Sequence, residues 1–215
     1  RVIFEGGAGT GKTFLAIYIA KCWSNLNYKT AFITSSKYFN NILSETLNEK
    51  VDVSFTLISA GNLLKDNKLL ENQFDRIVID EGQQLCNEEY LNKLEYIVKG
   101  GLSKGIWRWF GDPQLQIIDE NLFNSELYEL LKEYTGNSST IELINNVRNT
   151  KKIFKFINSV NLHCGKSVKA ISEGFGPEIE YLEKEKLISK VKKVFKKTNN
   201  YNNYNLKVAL LHTKD

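Results

Sequence analysis

Short hydrophobic runs alternate with longer amphipathic stretches along most of the chain. The runs are rich in β-branched and aromatic residues, which predicts strands at residues 2–5, 29–34, 55–59, 76–80, 106–110 and 140–143. Apolar residues that recur about every 3.6 positions predict helices at residues 13–24, 38–48, 62–70, 88–98 and 125–134. Strands that alternate with helices indicate a parallel sheet covered on both faces. The predicted fold class is therefore α/β, with three layers.

The alternating pattern resumes after residue 150. It predicts, in order, a helix at 151–162, a glycine-containing loop at 174–177, a strand at 178–181, a helix at 183–197, an Asn- and Tyr-rich loop at 198–205 and a strand at 206–211. We therefore predict one domain at 1–150, and at 151–215 a linker helix with the incomplete start of a second α/β domain. Because the sequence opens on Arg1 next to a predicted strand and contains no methionine, it is interpreted as a fragment of a longer protein.

The composition excludes several classes of protein. The 215 residues are 42% hydrophobic and 25% charged, as in ordinary globular proteins. The longest unbroken apolar run, at 14–20, is much shorter than the roughly 18 to 20 residues of a membrane span, so we expect no membrane partner. Three cysteines without a CxxC pair, and two histidines, favour neither a disulfide framework nor a structural zinc site. This cysteine usage predicts a reducing cytoplasm.

The net charge of +4 is unevenly distributed. Acidic residues are in excess at 119–147, and basic residues are in excess from Arg148 onwards. A basic final third could follow a phosphate backbone. A solvated, lysine-rich helix face at 184–197 is the alternative, and the charge pattern alone leaves both open.

A glycine-rich segment lies between the first predicted strand and the first predicted helix. It matches the phosphate-loop pattern GxxxxGK[ST] and consists of Gly6, Gly7, Ala8, Gly9, Thr10, Gly11, Lys12 and Thr13. Glycines let backbone amides wrap around phosphates, and the following helix presents the positive end of its dipole. We expect Lys12 to reach the β- and γ-phosphates and the Thr13 hydroxyl to bind Mg²⁺. The segment therefore predicts a binding site for a nucleoside triphosphate.

Two carboxylates end the predicted strand at 76–80. Asp80 and Glu81 follow the apolar run 77–79, which is typical of a strand buried on both faces. In a parallel nucleotide-binding sheet the end of such a strand lies beside the phosphate loop. Asp80 is then expected to bind Mg²⁺, and Glu81 to polarise the attacking water. The pair favours ATP hydrolysis over phosphate transfer to a small molecule, although solvated carboxylates also occur at strand ends.

Three segments in order extend these motifs. They read Asp-Glu-Gly-Gln at 80–83, Gly-Asp-Pro-Gln-Leu-Gln at 111–116 and Leu-Ile-Asn-Asn-Val-Arg-Asn-Thr at 143–150. With the phosphate loop, this set resembles a superfamily 1 helicase of the UvrD/Rep type, in its compact branch. The resemblance implies a RecA-like P-loop NTPase core that binds ATP in a cleft shared with a second RecA-like domain of the same chain. It also implies movement along single-stranded DNA or RNA.

The resemblance assigns roles to individual residues. Gln83 is expected to contact the γ-phosphate or its water, and Arg148 matches the arginine that reaches the γ-phosphate and stabilises the transition state. Thr34, Ser35 and Ser36 stand where the family holds the nucleic-acid backbone.

Purely structural roles remain open as alternatives for these residues. Arg148 could pair with Glu142, and one of the two serines could cap the helix that follows. Trp107 and Trp109 alternate within a predicted strand, which favours packing in the core or between domains over stacking on bases.

The sequence departs from the family at two nucleotide contacts. Where the family has a glutamine three residues after the aspartate of its third motif, this chain has Leu115 with Gln114 and Gln116 on either side. Both glutamines are candidates for coupling to the nucleotide. Val147 replaces the aromatic that packs on adenine in the family, so we expect loose base selectivity.

The predicted function is that of an ATP-binding and ATP-hydrolysing motor domain of a superfamily 1 helicase or translocase. The alternative is a regulatory P-loop switch, in signalling or defence, without unwinding of nucleic acid. We expect the isolated chain to be a weak ATP hydrolase or inactive, because half of the cleft would belong to the second domain.

Overall fold

The computed structural model describes residues 1–50, 55–66, 68–113, 123–136, 139–159 and 169–173, and residues 189, 192 and 193. The chain divides into two compact units, Arg1–Gly176 and Pro177–Asp215. In the second unit the three described residues are helical. The strands predicted at 178–181 and 206–211, both predicted loops and most of the helix predicted at 183–197 lie outside the described residues. The domain boundary at residue 150 stays a prediction.

The first unit alternates strands and helices. Its strands are β1 Val2–Gly6, β2 Thr30–Thr34, β3 Thr56–Ser59, β4 Arg76–Ile79, β5 Ile106–Gly111, β6 Thr140–Leu143, β7 Asn145–Thr150 and β8 Lys169–Ser172. Its helices are α1 Lys12–Asn25, α2 Lys37–Lys50, α3 Ala60–Lys65, α4 Lys68–Glu71, a 3-10 helix Gly82–Leu85, α5 Glu88–Ile97, α6 Gly101–Lys104, α7 Ser125–Tyr134 and α8 Lys151–Ser159.

Six parallel strands form the central sheet, in the order β3-β2-β4-β5-β1-β6. Strand β5 lies between β1 and β4, and Trp109 is opposite both Ile3 of β1 and Ile79 of β4. Because all six strands run in one direction, the phosphate loop after β1 and the acidic pair after β4 lie at the same edge of the sheet. The predicted parallel α/β fold is confirmed.

Alternate strand residues point to opposite faces of the sheet and build two hydrophobic cores. On one face Phe4, Phe32 and Phe110 pack with buried residues of α1 and α2, and the rings of Phe4 and Phe110 stack at 4.4 Å. On the other face Trp107 and Trp109 pack with buried residues of α3, α5 and α7. Helices therefore cover both faces, and the interpretation of the two tryptophans as core residues is confirmed, since both are fully buried.

The structure corrects the prediction of one helix at 62–70. Helix α3 starts at Ala60, because the Ser59 hydroxyl accepts a hydrogen bond from the Asn62 amide at 3.3 Å. It ends before Asp66, which is extended and whose carboxylate accepts a hydrogen bond from the Lys68 amide at 3.0 Å. This local bond starts α4, so two short helices replace the predicted one.

Apart from the split at 62–70, four described elements were not predicted: β7, β8, α6 and the 3-10 helix Gly82–Leu85. Strands β7 and β8 form a separate two-stranded parallel sheet, and β7 is mostly polar, so its sequence has no apolar alternation. Helix α6 is a single turn. Helix α8 begins where predicted and is described as far as Ser159. Within the described residues, every helix is too short or too polar to cross a lipid bilayer.

Candidate nucleotide site

The loop between β1 and α1 has the backbone that its glycines predict. Gly9 and Gly11 have φ angles of 84° and 89°, a region that residues with a side chain rarely adopt. Gly11 precedes α1, and no side chain caps this helix. By contrast, Asn87 and Asn124 cap α5 and α7 with their side chains. The N-terminus of α1 is therefore open to an anionic ligand.

Lys12 is buried at the base of the loop. Its Nζ donates hydrogen bonds to the carbonyl oxygens of Gly6 at 2.6 Å and Gly7 at 3.1 Å. Burial lowers the pKa of Lys12, and the nearby carboxylates of Glu81 and Asp80 oppose that shift. The amine thus lies against the loop that would hold phosphate, with acidic groups close by.

Asp80 and Thr13 face each other at the ends of β4 and the loop. Asp80 is only 2% exposed, and burial raises its pKa to about 6, while a hydrogen bond from the Thr13 side chain opposes the shift. In the described part of the chain, Oδ1 of Asp80 has no hydrogen-bond partner. A buried carboxylate oxygen without a partner, next to a hydroxyl, fits a Mg²⁺ ion.

The protein would supply only a few of the ligands of this Mg²⁺ ion. Among the described residues, no group of three or more His, Cys, Asp or Glu side chains could hold a metal. Mg²⁺ in nucleotide sites keeps several waters and takes phosphate oxygens, so one carboxylate and one hydroxyl suffice.

Glu81 and Gln83 form a hydrogen-bonded pair after β4. Nε2 of Gln83 donates to Oε2 of Glu81 at 2.7 Å, and Oε1 of Gln83 accepts from the Asp112 amide at 3.2 Å. Gln83 is 1% exposed, whereas Glu81 is half-buried and has a positive φ of 53°. A non-glycine residue in this backbone region is strained and needs support from its surroundings. The side-chain amide of Gln83 supplies this support, and it connects the residues that follow β4 to those that follow β5.

Gly82 lies directly beneath Trp109. A Cβ atom at position 82 would overlap with the indole ring. Only glycine therefore fits between Glu81 and Gln83. No local sequence pattern contains this requirement, because Trp109 is distant in sequence.

One pocket of about 480 Å³ joins the phosphate loop to Glu81 and Arg148. It is lined by Ala8, Gly9, Thr10, Gly11, Lys12, Thr13, Phe14, Ile17, Phe39, Ile42, Leu43, Glu81, Val147 and Arg148. A smaller pocket of about 130 Å³ shares Thr13, Phe39 and Glu81 with it, and adds Asp80 and the hydroxyl residues of 34–36. The structure thus brings most predicted site residues together. Gln114 and Gln116 lie outside the described residues.

Arg148 lies on β7 and lines the larger pocket. Its positive charge contributes to lowering the pKa of Lys12, so the two cations are near each other. Arg148 is an exposed residue.

The three hydroxyl residues at 34–36 differ in their surroundings. The Thr34 hydroxyl is buried and hydrogen-bonded to Oδ1 of Asn40 at 2.7 Å. The Ser36 hydroxyl accepts from the Phe39 amide at 3.2 Å, so it caps α2, as the alternative interpretation held. Ser35 is half-buried at the smaller pocket. Contact of the three residues with nucleic acid stays a prediction.

Asn146 is a further site residue, and it was not among the residues predicted from the sequence. It is fully buried, and its side chain donates to the carbonyl oxygen of Ala8 at 2.8 Å. The signal that could have found it is an asparagine two residues before Arg148, a spacing at which asparagine commonly bonds the backbone.

The comparison with protein families decides the class of this domain. A family model described as Schlafen group 3, DNA/RNA helicase domain, matches residues 1–201. The chain belongs to this family. The match includes the phosphate loop, the acidic pair and Arg148, so the domain is a helicase-like P-loop NTPase.

Solved structures of similar fold include AMPPCP-bound DnaA from Aquifex aeolicus, with 16% identity and a TM-score of 0.43 over 95% of this chain and 56% of that chain. FlaH, a flagellar accessory protein from Methanocaldococcus jannaschii, has 16% identity and a TM-score of 0.38 over 61% and 66%. The SWI2/SNF2 ATPase core from Sulfolobus solfataricus, in complex with dsDNA, has 14% identity and a TM-score of 0.44 over 76% and 50%.

The chain therefore spans between half and two thirds of the length of these structures. A comparison with curated protein sequences finds no match.

Proposed function

We propose that this domain binds ATP with Mg²⁺ and hydrolyses it, as the cytoplasmic motor domain of a superfamily 1 helicase or translocase of the compact UvrD/Rep type. The observation that carries the proposal is the pocket in which Lys12, Glu81 and Arg148 meet at the open N-terminus of α1. A cation, a carboxylate and a second cation around a phosphate loop are the groups that γ-phosphoryl cleavage requires.

The phosphate loop binds the triphosphate in this proposal. Lys12 exchanges its bonds to the carbonyls of Gly6 and Gly7 for the β- and γ-phosphate oxygens. Thr13 and Asp80 would hold Mg²⁺, which when bound neutralises the charge of the β- and γ-phosphates.

Glu81 orients the attacking water and accepts its proton. The Gln83 amide holds the Glu81 carboxylate, and through that carboxylate it acts on the water. Arg148 approaches the γ-phosphate from β7 and stabilises the negative charge that develops on it. Gln114 and Gln116 are retained as candidates for coupling nucleotide state to movement.

Single-stranded DNA or RNA is the proposed track, and a second RecA-like domain of the same protein is the proposed partner across the cleft. Ser35 lines the pocket that also contains Asp80 and Glu81. A nucleic-acid phosphate bound by its hydroxyl would therefore lie close to the hydrolytic residues.

The test is the ATPase rate of the full-length protein with and without single-stranded DNA or RNA, at several salt concentrations. We expect stimulation by nucleic acid that weakens as salt rises. Lys12→Ala should abolish turnover, and Lys104→Ala, at an exposed lysine of α6, is the matched control. Turnover that nucleic acid leaves unchanged, with no salt-sensitive binding, would favour the P-loop switch. Turnover unchanged in Lys12→Ala would exclude this site as the ATPase.

A further inference from the structure

Hydrogen bonds around Asn146 connect the phosphate loop to β7. The Asn146 Nδ2 donates to the carbonyl oxygen of Ala8 at 2.8 Å. The backbone amides of Val147 and Arg148 donate to the carbonyl oxygen of Gly9 at 2.8 Å and 3.2 Å. Two consecutive carbonyls of the loop are thus bonded by three consecutive residues of β7.

The other end of the same side chain organises the backbone that carries Arg148. The Asn146 Oδ1 accepts hydrogen bonds from the amides of Arg148 at 3.2 Å and Asn149 at 2.8 Å. Asn146 is fully buried, so water does not replace these bonds. A buried amide that is hydrogen-bonded through both its nitrogen and its oxygen fixes the position of its partners.

The contact between loop and strand leaves no space for a side chain at position 9. A Cβ atom on Gly9 would lie 2.7 Å from Oδ1 of Asn146 and 3.1 Å from Cβ of Arg148. The glycine is therefore required by its φ of 84° and also by the closeness of β7.

Strand β7 belongs to the two-stranded sheet with β8, where Asn146 lies opposite Ala170. It is outside the six-stranded sheet that carries the phosphate loop. The bonds of Asn146, Val147 and Arg148 to the loop therefore set how far Arg148 lies from phosphates bound there.

We propose that Asn146 is a positioning residue for Arg148, which it holds at the phosphate pocket by bonding the loop and the arginine backbone with one side chain. The inference rests on the proposed ATP hydrolysis. In this proposal the conformation of the phosphate loop and the position of Arg148 change together, because Asn146 is bonded to both.

The test is a double-mutant cycle on kcat and KM for ATP in the full-length protein, with Asn146→Ala, Arg148→Ala and the double variant. Asn146→Ala is expected to lower kcat by about tenfold, but by less than about twofold when Arg148 is already absent, because the asparagine acts through the arginine. An equal loss in both backgrounds, or no loss of kcat, would overturn the proposal.

Two further variants keep the test decisive. Asn145→Ala, at an exposed neighbour on the same strand, should leave kcat and KM unchanged. Asn146→Ser keeps an oxygen for the amides of Arg148 and Asn149 but is too short to reach Ala8, so an intermediate kcat is expected. If Asn146→Ala does not fold, the same cycle is run with Asn146→Ser. A loss of kcat that is smaller when Arg148 is absent would then support the proposal, and an equal loss would overturn it.

The outcomes separate this inference from the proposed function. If the unmodified protein does not hydrolyse ATP, or if Arg148→Ala retains full kcat, the role of Arg148 fails and this inference fails with it. If Arg148→Ala lowers kcat and the Asn146 variants lower it independently, only the inference fails.

Discussion

The side-chain amide of Gln83 donates a 2.7 Å hydrogen bond to the carboxylate of Glu81, and its oxygen accepts from the backbone of Asp112. One buried glutamine thus joins the acidic pair after β4 to the end of β5. This matters for mechanism, because Glu81 has a strained backbone and its carboxylate is oriented by a residue that does not line the pocket.

Gln83→Ala is expected to lower kcat for ATP by roughly tenfold and to change nucleotide affinity by less than about twofold, because the glutamine acts on Glu81. Steady-state kinetics with a separate measurement of nucleotide binding check this. Gln84→Ala, at the half-buried next residue, is the control. A parallel loss of affinity in Gln83→Ala would indicate direct contact of Gln83 with the γ-phosphate.

Gly82→Ala is expected to destabilise the chain by about 1–3 kcal/mol, since the added methyl group overlaps with the indole of Trp109. Urea denaturation measures the free energy of unfolding. Trp109→Phe, with a smaller ring, should recover part of the loss in the double variant.

The matched glycine substitution is Gly61→Ala in α3, where an added Cβ would meet nothing within 4 Å. It should leave stability unchanged or raise it by about 0.5–1 kcal/mol. Equal destabilisation by both substitutions would contradict the packing argument.

Asp80→Asn is expected to stabilise the nucleotide-free chain while abolishing Mg²⁺-dependent hydrolysis. Burial raises the pKa of Asp80 from 3.8 to about 6, so the folded chain holds this proton more tightly than the unfolded chain. The stability that the protonated carboxyl contributes is present below pH 4 and is lost as pH rises to about 6. Asparagine does not ionise, so the variant should be more stable by about 1–3 kcal/mol at pH 7.5.

Urea denaturation between pH 4 and pH 8 tests this prediction. The difference in the free energy of unfolding between Asp80→Asn and the unmodified chain should grow as pH rises to about 6, and then stay constant. Glu71→Gln, at an exposed carboxylate, should change stability by less than about 0.5 kcal/mol. A difference that is independent of pH would contradict the burial of an ionisable Asp80.

The sequence pattern predicted those elements whose structure depends on neighbouring residues in the chain. All six strands of the central sheet were predicted, because each is a short apolar run between turns. The phosphate loop was predicted because its chemistry lies in eight consecutive residues. Strands β7 and β8 were missed, since β7 is polar and is held by pairing with a distant segment.

The missed site residues depend on contacts that no local pattern contains. Asn146 bonds to Ala8, which is 138 positions away in sequence. Gly82 is required by Trp109 on a neighbouring strand. The hydroxyl of Ser36 was predicted both to contact nucleic acid and to cap α2, and only the position of the Phe39 amide shows the capping bond.

The central claim is that Glu81 and the phosphate loop form an ATP-hydrolysing site. Turnover and binding of Mg²⁺-ATP by Glu81→Gln in the full-length protein test it most directly, with Glu88→Gln at an exposed carboxylate of α5 as the control. We predict that Glu81→Gln loses roughly 100-fold or more in turnover and keeps its affinity for Mg²⁺-ATP within about threefold. Turnover equal to that of the control would contradict the account.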